Sequence, residues 1–225
     1  MKVGVFGDSY AHADQTPIWW RYLADLGHDV TCHGEPGSSI MFSVERLQEH
    51  AAKYELAIWC ATMPGRLSFP TPYGPPWPRT WQHWRVTEPI TSKDSRVQRK
   101  QQVYRDYYME LVDLEQDNFV NAAVIYHVMR TCPNVMVIPC FFPPLKLQFN
   151  LYDITCHEMR PCFDSDDDCR NWHQNYHDAR SGHLLPENHR LLAQLIQSDM
   201  KPGIFQADIN QFAQATSIEQ VLIKR

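Results

Sequence analysis

The chain is predicted to fold as a single α/β domain, built as a three-layer sandwich around a parallel, flavodoxin-like sheet of about five strands. Apolar runs typical of buried strands alternate with amphipathic segments at helical spacing. Short turns rich in Gly and Pro separate the two kinds of segment. The 225 residues are enough for one large domain, and 44% of them are hydrophobic, which supplies a core. We therefore expect residues 1–225 to form one domain.

Four apolar runs are predicted as buried strands of this sheet. They are Lys2 to Phe6, His28 to Cys32, Leu56 to Cys60 and Val135 to Pro139. Strands that alternate with helices at this spacing form βαβ units, in which neighbouring strands run parallel. The carboxyl ends of the strands should therefore meet at one edge, where open α/β sheets bind their ligands.

Helices are predicted between and after these strands. The first begins at the N-cap Thr16, with Pro17 at its first position, and ends near Leu26 before the capping Gly27. Apolar residues at helical spacing mark the others. These are a helix around Val44, Leu47 and Ala51, an amphipathic stretch from Lys93 to Asp113, and helices over Phe119 to Met129, Pro186 to Met200 and Ile209 to Ala213.

Two insertions interrupt the βαβ pattern. The first, at about 67–92, is rich in Pro and Trp, and its prolines exclude regular structure. It is either a lid over the site or an aromatic surface for an oligomer contact. The second, at about 151–177, is rich in Cys, His and Asp and is predicted to be irregular from Ile154 to His177.

Composition excludes several classes of protein. A net charge of -5 argues against a nucleic-acid partner, and no apolar stretch approaches the roughly 20 residues of a membrane helix. The chain starts directly with a strand, so no signal peptide is expected. Seven cysteines, several of them in apolar runs, are best interpreted as free thiols in a reducing compartment. We therefore expect a cytoplasmic protein.

Ser9 is the candidate nucleophile. The first strand runs into the turn Gly7-Asp8-Ser9, which lifts the Ser out of the carboxyl edge of the sheet, although these residues are also common in ordinary turns. His183 precedes the last clear helix and should reach the same edge, where it can act as general base. The backbone N–H groups of Gly37 and Ser9 could form an oxyanion hole.

These stretches resemble the SGNH/GDSL hydrolase family. The resemblance covers Gly7-Asp8-Ser9, the Gly37 turn, the turn after the third strand and the run from Gly182 to His189. It implies a serine esterase or deacetylase in which Ser9 attacks an ester, such as an O-acetylated carbohydrate, and His183 activates water. No organic cofactor is implied.

Two positions depart from the family pattern. Where the family has an Asn oxyanion donor, this chain has Ala61-Thr62-Met63-Pro64, so Thr62 or Arg66 would have to replace it. Arg66 could equally pair with a surface carboxylate. Where the family has an Asp three residues before the His, this chain has Arg180. Asp178 is the nearest carboxylate and either orients His183 or caps a turn. These departures suggest a divergent branch, such as a phage protein.

A metal site is the remaining chemical candidate. His173 and His177 would share one face of a helix, and with Cys162 and Cys169 they could bind a structural zinc ion. The spacing matches no paired Cys motif. The alternatives are free thiols and surface histidines, or a Cys156–Cys162 disulfide.

The rival to the hydrolase hypothesis is a non-catalytic binding or assembly protein with the same fold. The missing Asn and the displaced Asp favour it, and the aromatic insertion would then be its partner surface. Reaction with a serine-directed probe distinguishes the two.

Overall fold

The computed structural model describes residues 1–12, 18–62, 67–68, 80–81, 114–140, 151–163 and 183–215, with a few positions between 95 and 106. A five-stranded parallel sheet forms the centre of this part of the chain. Its strands are β1 (Lys2–Phe6), β2 (Asp29–Cys32), β3 (Leu56–Ala61), β6 (Val135–Pro139) and β7 (Gly203–Ile204). Their order across the sheet is β2-β1-β3-β6-β7, which is the flavodoxin-like order.

The bounds of five α-helices around the sheet are defined, and no helix in the described residues is long and apolar enough to cross a membrane. They are α1 (Trp19–Asp25), α2 (Ile40–His50), α3 (Leu114–Thr131), α4 (Leu151–Met159) and α5 (Pro186–Ser198). Short 3₁₀ turns lie at Ala51–Lys53, Arg160–Cys162 and Ile209–Gln211.

Each face of the sheet is covered by its own helices, which confirms the predicted three-layer sandwich. Strand β3 shows why: every residue is buried, and alternate side chains enter different cores. Ile58 packs with residues of α1, α4 and α5, whereas Trp59 packs with residues of α2 and α3. A strand buried on both faces needs the continuous apolar run that the sequence has here.

Several helices and strands begin or end at other residues than the sequence predicts. Helix α1 begins at Trp19, and its N-cap Ile18 has no capping side chain; the predicted cap Thr16 and Pro17 lie outside the described residues. Gly27 follows the helix at φ +96, which confirms it as the C-terminal glycine. Strand β2 starts one residue after His28, β3 extends to Ala61, and α3 is longer than predicted at both ends.

The two insertions contain regular structure that the sequence analysis did not predict. The interpretation of Ile154 to His177 as irregular is wrong at its start, where α4 and the following 3₁₀ turn lie. In the Pro- and Trp-rich insertion, β4 (Leu67–Ser68) pairs with β5 (Thr80–Trp81) in an antiparallel ladder despite the surrounding prolines. The lid hypothesis and the stretch from Lys93 to Asp113 fall mostly on residues that the structure does not describe. The helix predicted near Ile209 is a single 3₁₀ turn.

Candidate active site

Three of the predicted site residues lie at the carboxyl edge of the sheet. Ser9 follows β1, Gly37 follows β2, and Thr62 follows β3 directly. Because β1 lies between β2 and β3 in the sheet, the turn that holds Ser9 is flanked on both sides by these neighbours. Topology therefore places these three residues at one edge, as the sequence analysis expected.

His183 reaches this edge from the far end of the chain. Its Nε2 lies 2.8 Å from Oγ of Ser9, although 174 positions separate the two residues. Both side chains are half-buried. A hydroxyl within hydrogen-bond distance of an imidazole nitrogen is the arrangement in which a histidine removes the proton of a serine nucleophile.

The nucleophile turn is fastened to the turn after β2. The carbonyl of Gly7 accepts hydrogen bonds from the backbone N–H of Glu35 at 2.9 Å and from the Ser38 hydroxyl at 3.2 Å. The Nδ1 of His12 lies 2.9 Å from the carbonyl oxygen of Gly34, so it donates to that oxygen. These bonds hold the two turns in a fixed relation next to Ser9.

Ser9 does not lie at the start of α1. Residues 8–12 form a separate turn, in which the N–H groups of Ala11 and His12 donate to the carbonyl of Asp8 at 3.0 and 2.9 Å. Helix α1 begins only at Trp19. A single hydrogen-bonded turn therefore follows the nucleophile.

Asp8 lies completely buried beneath the nucleophile. Its Oδ1 accepts from the backbone N–H of Tyr10 at 3.1 Å, and its Oδ2 accepts from the hydroxyl of Thr62 at 2.5 Å. The Thr62 side chain thus donates to Asp8, whereas the sequence analysis named Thr62 or Arg66 as the oxyanion donor. The hydroxyl has only one proton to give.

Tyr10 supports the imidazole of His183. The two rings lie 4.8 Å apart between centroids and are tilted by 48°. Tyr10 is buried, and its carbonyl accepts from the indole N–H of Trp19 at 2.8 Å. The Tyr10 hydroxyl lies 3.1 Å from the hydroxyl of Thr155 on α4. Helices α1 and α4 therefore both hold the residue against which the histidine packs.

Gly37 occupies the turn after β2 at φ +73. An added Cβ would meet no atom within 4 Å, so the backbone conformation and not the packing favours glycine there. The prediction that its N–H faces an oxyanion stays a prediction.

The remaining predicted site residues lie largely outside the described residues. Asp178, Arg66, Cys169, His173 and His177 are all in this group. Cys162 is described: it packs with Met159 and Leu185, and its thiol lies 3.8 Å from the carbonyl of Ala215. Within the described ranges, no three His, Cys, Asp or Glu side chains are grouped so that they could hold a metal ion.

No disulfide joins the cysteines in the described part of the chain, Cys156 and Cys162 included. The alternative of a disulfide between these two is therefore wrong. Near the site, burial raises the pKa of Cys32 to about 11, and its thiol donates to the carbonyl of Ala11 at 2.9 Å. A thiol with so high a pKa stays protonated at neutral pH and is a poor nucleophile.

Asp8, Tyr10 and Thr155 are the supporting residues that the sequence analysis missed. Asp8 and Tyr10 flank Ser9, so proximity in sequence was an available signal. No such signal marked Thr155, because its helix was interpreted as irregular chain.

Comparison with known proteins adds no assignment to this geometry. No family model, curated protein or solved structure matches the chain.

Proposed function

We propose that this chain is a serine hydrolase that cleaves esters through an acyl-enzyme. The observation that carries the proposal is the distance of 2.8 Å between Oγ of Ser9 and Nε2 of His183, at the carboxyl edge of the parallel sheet. The likeness of the sequence motifs to the SGNH/GDSL hydrolases supports the same activity. The buried contacts beside the two residues, at Asp8 next to Ser9 and at Tyr10 against His183, support it further, because a catalytic pair must be held in place.

The first half of the proposed reaction forms the acyl-enzyme. His183 Nε2 removes the hydroxyl proton of Ser9 as Oγ attacks the carbonyl carbon of the ester. The resulting oxyanion is stabilised by the backbone N–H groups of Ser9 and Gly37. When the C–O bond to the alcohol breaks, His183 returns the proton to the leaving alkoxide, and the acyl group stays on Ser9.

The second half releases the acid. His183 removes a proton from water, which attacks the acyl carbon, and the proton then returns to Oγ of Ser9 as the acid leaves. Throughout, Nε2 must start as the unprotonated nitrogen, so Nδ1 carries the proton of the neutral ring. In the proposed site, Asp178 accepts a hydrogen bond from the Nδ1–H group, and Arg66 attracts the anionic intermediate.

The proposed substrate is a small ester or an O-acetylated carbohydrate. Ser9 is half-buried, so part of the residue is exposed to solvent. The Pro- and Trp-rich insertion follows β3 in the sequence, and its aromatic side chains would stack on the flat faces of a sugar.

A fluorophosphonate probe tests this function, because it forms a covalent bond only with an activated serine. We expect labelling of the wild-type chain, none of Ser9→Ala, and labelling slowed by about 10²–10⁴-fold in His183→Ala. Ser198→Ala, which alters an exposed serine at the end of α5, is the matched control and should be labelled like the wild type.

The rate of p-nitrophenyl acetate hydrolysis should rank the wild type and the three variants in the same order as the rate of labelling. Absence of both labelling and hydrolysis in the wild type would contradict the proposal and favour a binding protein with this fold.

A further inference from the structure

His183 has an unusual backbone. Its φ is +66, and it is the one non-glycine residue with a positive φ among those described. This left-handed conformation is unfavourable for a residue with a Cβ, because the Cβ comes too close to the backbone. Such a conformation persists only where the surroundings hold it, and it is concentrated at functional sites. The residues that hold His183 should therefore matter for the geometry of the site.

Thr155 on α4 holds one side of this backbone. The side chain is 2% exposed, and its Oγ1 lies 3.2 Å from the carbonyl oxygen of His183 and 3.0 Å from that of Leu151. Both carbonyls can only accept, so the single hydroxyl proton of Thr155 is shared between them in a bifurcated hydrogen bond. The Tyr10 hydroxyl, 3.1 Å away, then donates to Thr155. The ring of Tyr10 in turn packs on His183.

Glu158, also on α4, holds the other side. This carboxylate is fully buried, and its two oxygens lie 3.1 and 3.2 Å from the backbone N of Leu185. Leu185 is the N-cap of α5 and has no capping side chain of its own. Glu158 therefore satisfies an N–H group at the positive end of that helix. It also accepts from the side-chain amide of Asn188 at 2.6 Å.

The two residues act on one short segment. Thr155 and Glu158 are three positions apart on α4 and so share a face of that helix. One binds the carbonyl of residue 183 and the other binds the amide of residue 185. Between these points lies Leu184, which is 2% exposed and packs in the core. The backbone that carries the imidazole is thus fixed on both sides.

We propose that Thr155 and Glu158 are positioning residues of the hydrolase: from α4 they hold His183 in its left-handed conformation, with Nε2 at Ser9. This inference rests on the proposed function. It states that the base is aligned through its backbone by a helix, in addition to any side chain that binds its Nδ1. Loss of this alignment should lower the rate of chemistry while substrate binding is kept.

Thr155→Val is the principal test, because it removes the hydroxyl and keeps the shape. We expect kcat for p-nitrophenyl acetate to fall by a factor of about 10 to 100, with KM nearly unchanged. Thr155→Ser, which keeps the hydroxyl, should restore most of the rate. Ile125→Val, in the core on the opposite face of the sheet, controls for lost stability: it should lower the unfolding midpoint without lowering kcat.

A double-mutant cycle separates positioning from a general structural role. If Thr155 acts through His183, Thr155→Val should slow labelling in the wild type but should not slow it further in His183→Ala. An equal slowing in both backgrounds would overturn the inference. Glu158→Gln provides a second cycle, and if that variant fails to fold, the Thr155 cycle alone decides.

The outcomes also distinguish the two proposals. Labelling of Ser9 that depends on His183 but not on Thr155 would support the hydrolase proposal and overturn the positioning role of Thr155. A wild-type chain that never reacts would contradict the hydrolase. In that case the ¹⁵N NMR signals of the His183 ring still report its position, and an unchanged spectrum in Thr155→Val would overturn the inference independently.

Discussion

The hydroxyl of Thr62 donates to Oδ2 of Asp8 over 2.5 Å, and this bond joins the end of β3 to the residue before the proposed nucleophile. Both side chains are at least 97% buried, since their exposed fractions are 3% and 0%. The other carboxylate oxygen receives the N–H of Tyr10. Ser9 lies between Asp8 and Tyr10, and the buried carboxylate of Asp8 fixes both of these neighbours through its bonds to Thr62 and to the Tyr10 N–H.

Replacement of Thr62 by Val should destabilise the protein. A buried carboxylate oxygen would lose its donor, and a hydrogen bond to a charged group contributes about 1.5–3 kcal/mol. Thr62→Ser keeps the hydroxyl and should lose less than about 1 kcal/mol for one methyl group. Urea denaturation of the three proteins at neutral pH measures the difference. Equal free energies of unfolding for Thr62→Val and the wild type would contradict the expected contribution.

The glycines at positions 7 and 27 should respond differently to alanine. At Gly7 (φ +143), a Cβ would lie 2.6 Å from the carbonyl oxygen of Cys60 and 2.7 Å from its Cβ. Strand β3 cannot move without disturbing the sheet, so we expect a loss of about 3 kcal/mol or more, or no folded protein.

Gly27→Ala is the matched control for this clash. Its φ is +96, but a Cβ there would meet nothing within 4 Å, so only the backbone conformation is unfavourable, by about 1–2 kcal/mol. Thermal unfolding of both variants checks the contrast. Similar losses at the two positions would show that the contact with Cys60 is relieved by movement.

The sheet and the Ser9–His183 pair could be predicted because both depend on local signals. Buried parallel strands need continuous apolar runs, and such runs are visible at β1, β3 and β6. Once the strands are known to be parallel, topology alone brings Ser9 to the carboxyl edge. The placement of His183 before the last helix then brings it to the same edge, whatever lies between.

The support around the pair could not be predicted in the same way. Strand β7 has only two residues, which is too short for any periodicity, and it is defined by its pairing with β6. Helix α4 contains polar Thr155 and Glu158, whose burial depends on partners from α5 and from the turn of Ser9. A buried polar network is a tertiary property. Its members look like surface residues in the sequence.

Cys32 should make the protein less stable in alkaline solution. Burial raises the pKa of its thiol from 9.0 to about 11 in the folded state. Between these values the unfolded chain has released the proton and the folded chain has kept it, so stability falls as the pH rises above 9.0.

Cys32→Ala tests this dependence because it removes the titrating group. Its free energy of unfolding should fall less steeply than that of the wild type between about pH 8 and pH 11, measured by urea denaturation. Cys132→Ala, at a half-buried cysteine after α3, is the control. Parallel curves for Cys32→Ala and the wild type would contradict the raised pKa.

His33 should make the protein less stable in acid, whereas Cys32 makes it less stable in alkaline solution. Its ring stacks between those of Phe6, at 4.8 Å, and His50, at 4.7 Å, and its Nε2 lies 2.6 Å from the Tyr54 hydroxyl. Burial lowers the pKa of His33 below its usual 6.5, and the positive charges of His50, Arg46 and Lys53 lower it further. The folded state therefore favours the neutral ring.

The sign of the effect follows from the lowered pKa. As the pH falls below 6.5, the unfolded chain binds a proton at His33 before the folded chain does, so the stability from the neutral ring is complete above 6.5 and is lost below it. His33→Gln should lose less stability than the wild type between about pH 7 and pH 5. Urea denaturation across this range measures the two slopes, and a wild-type slope no steeper than that of the variant would contradict the prediction.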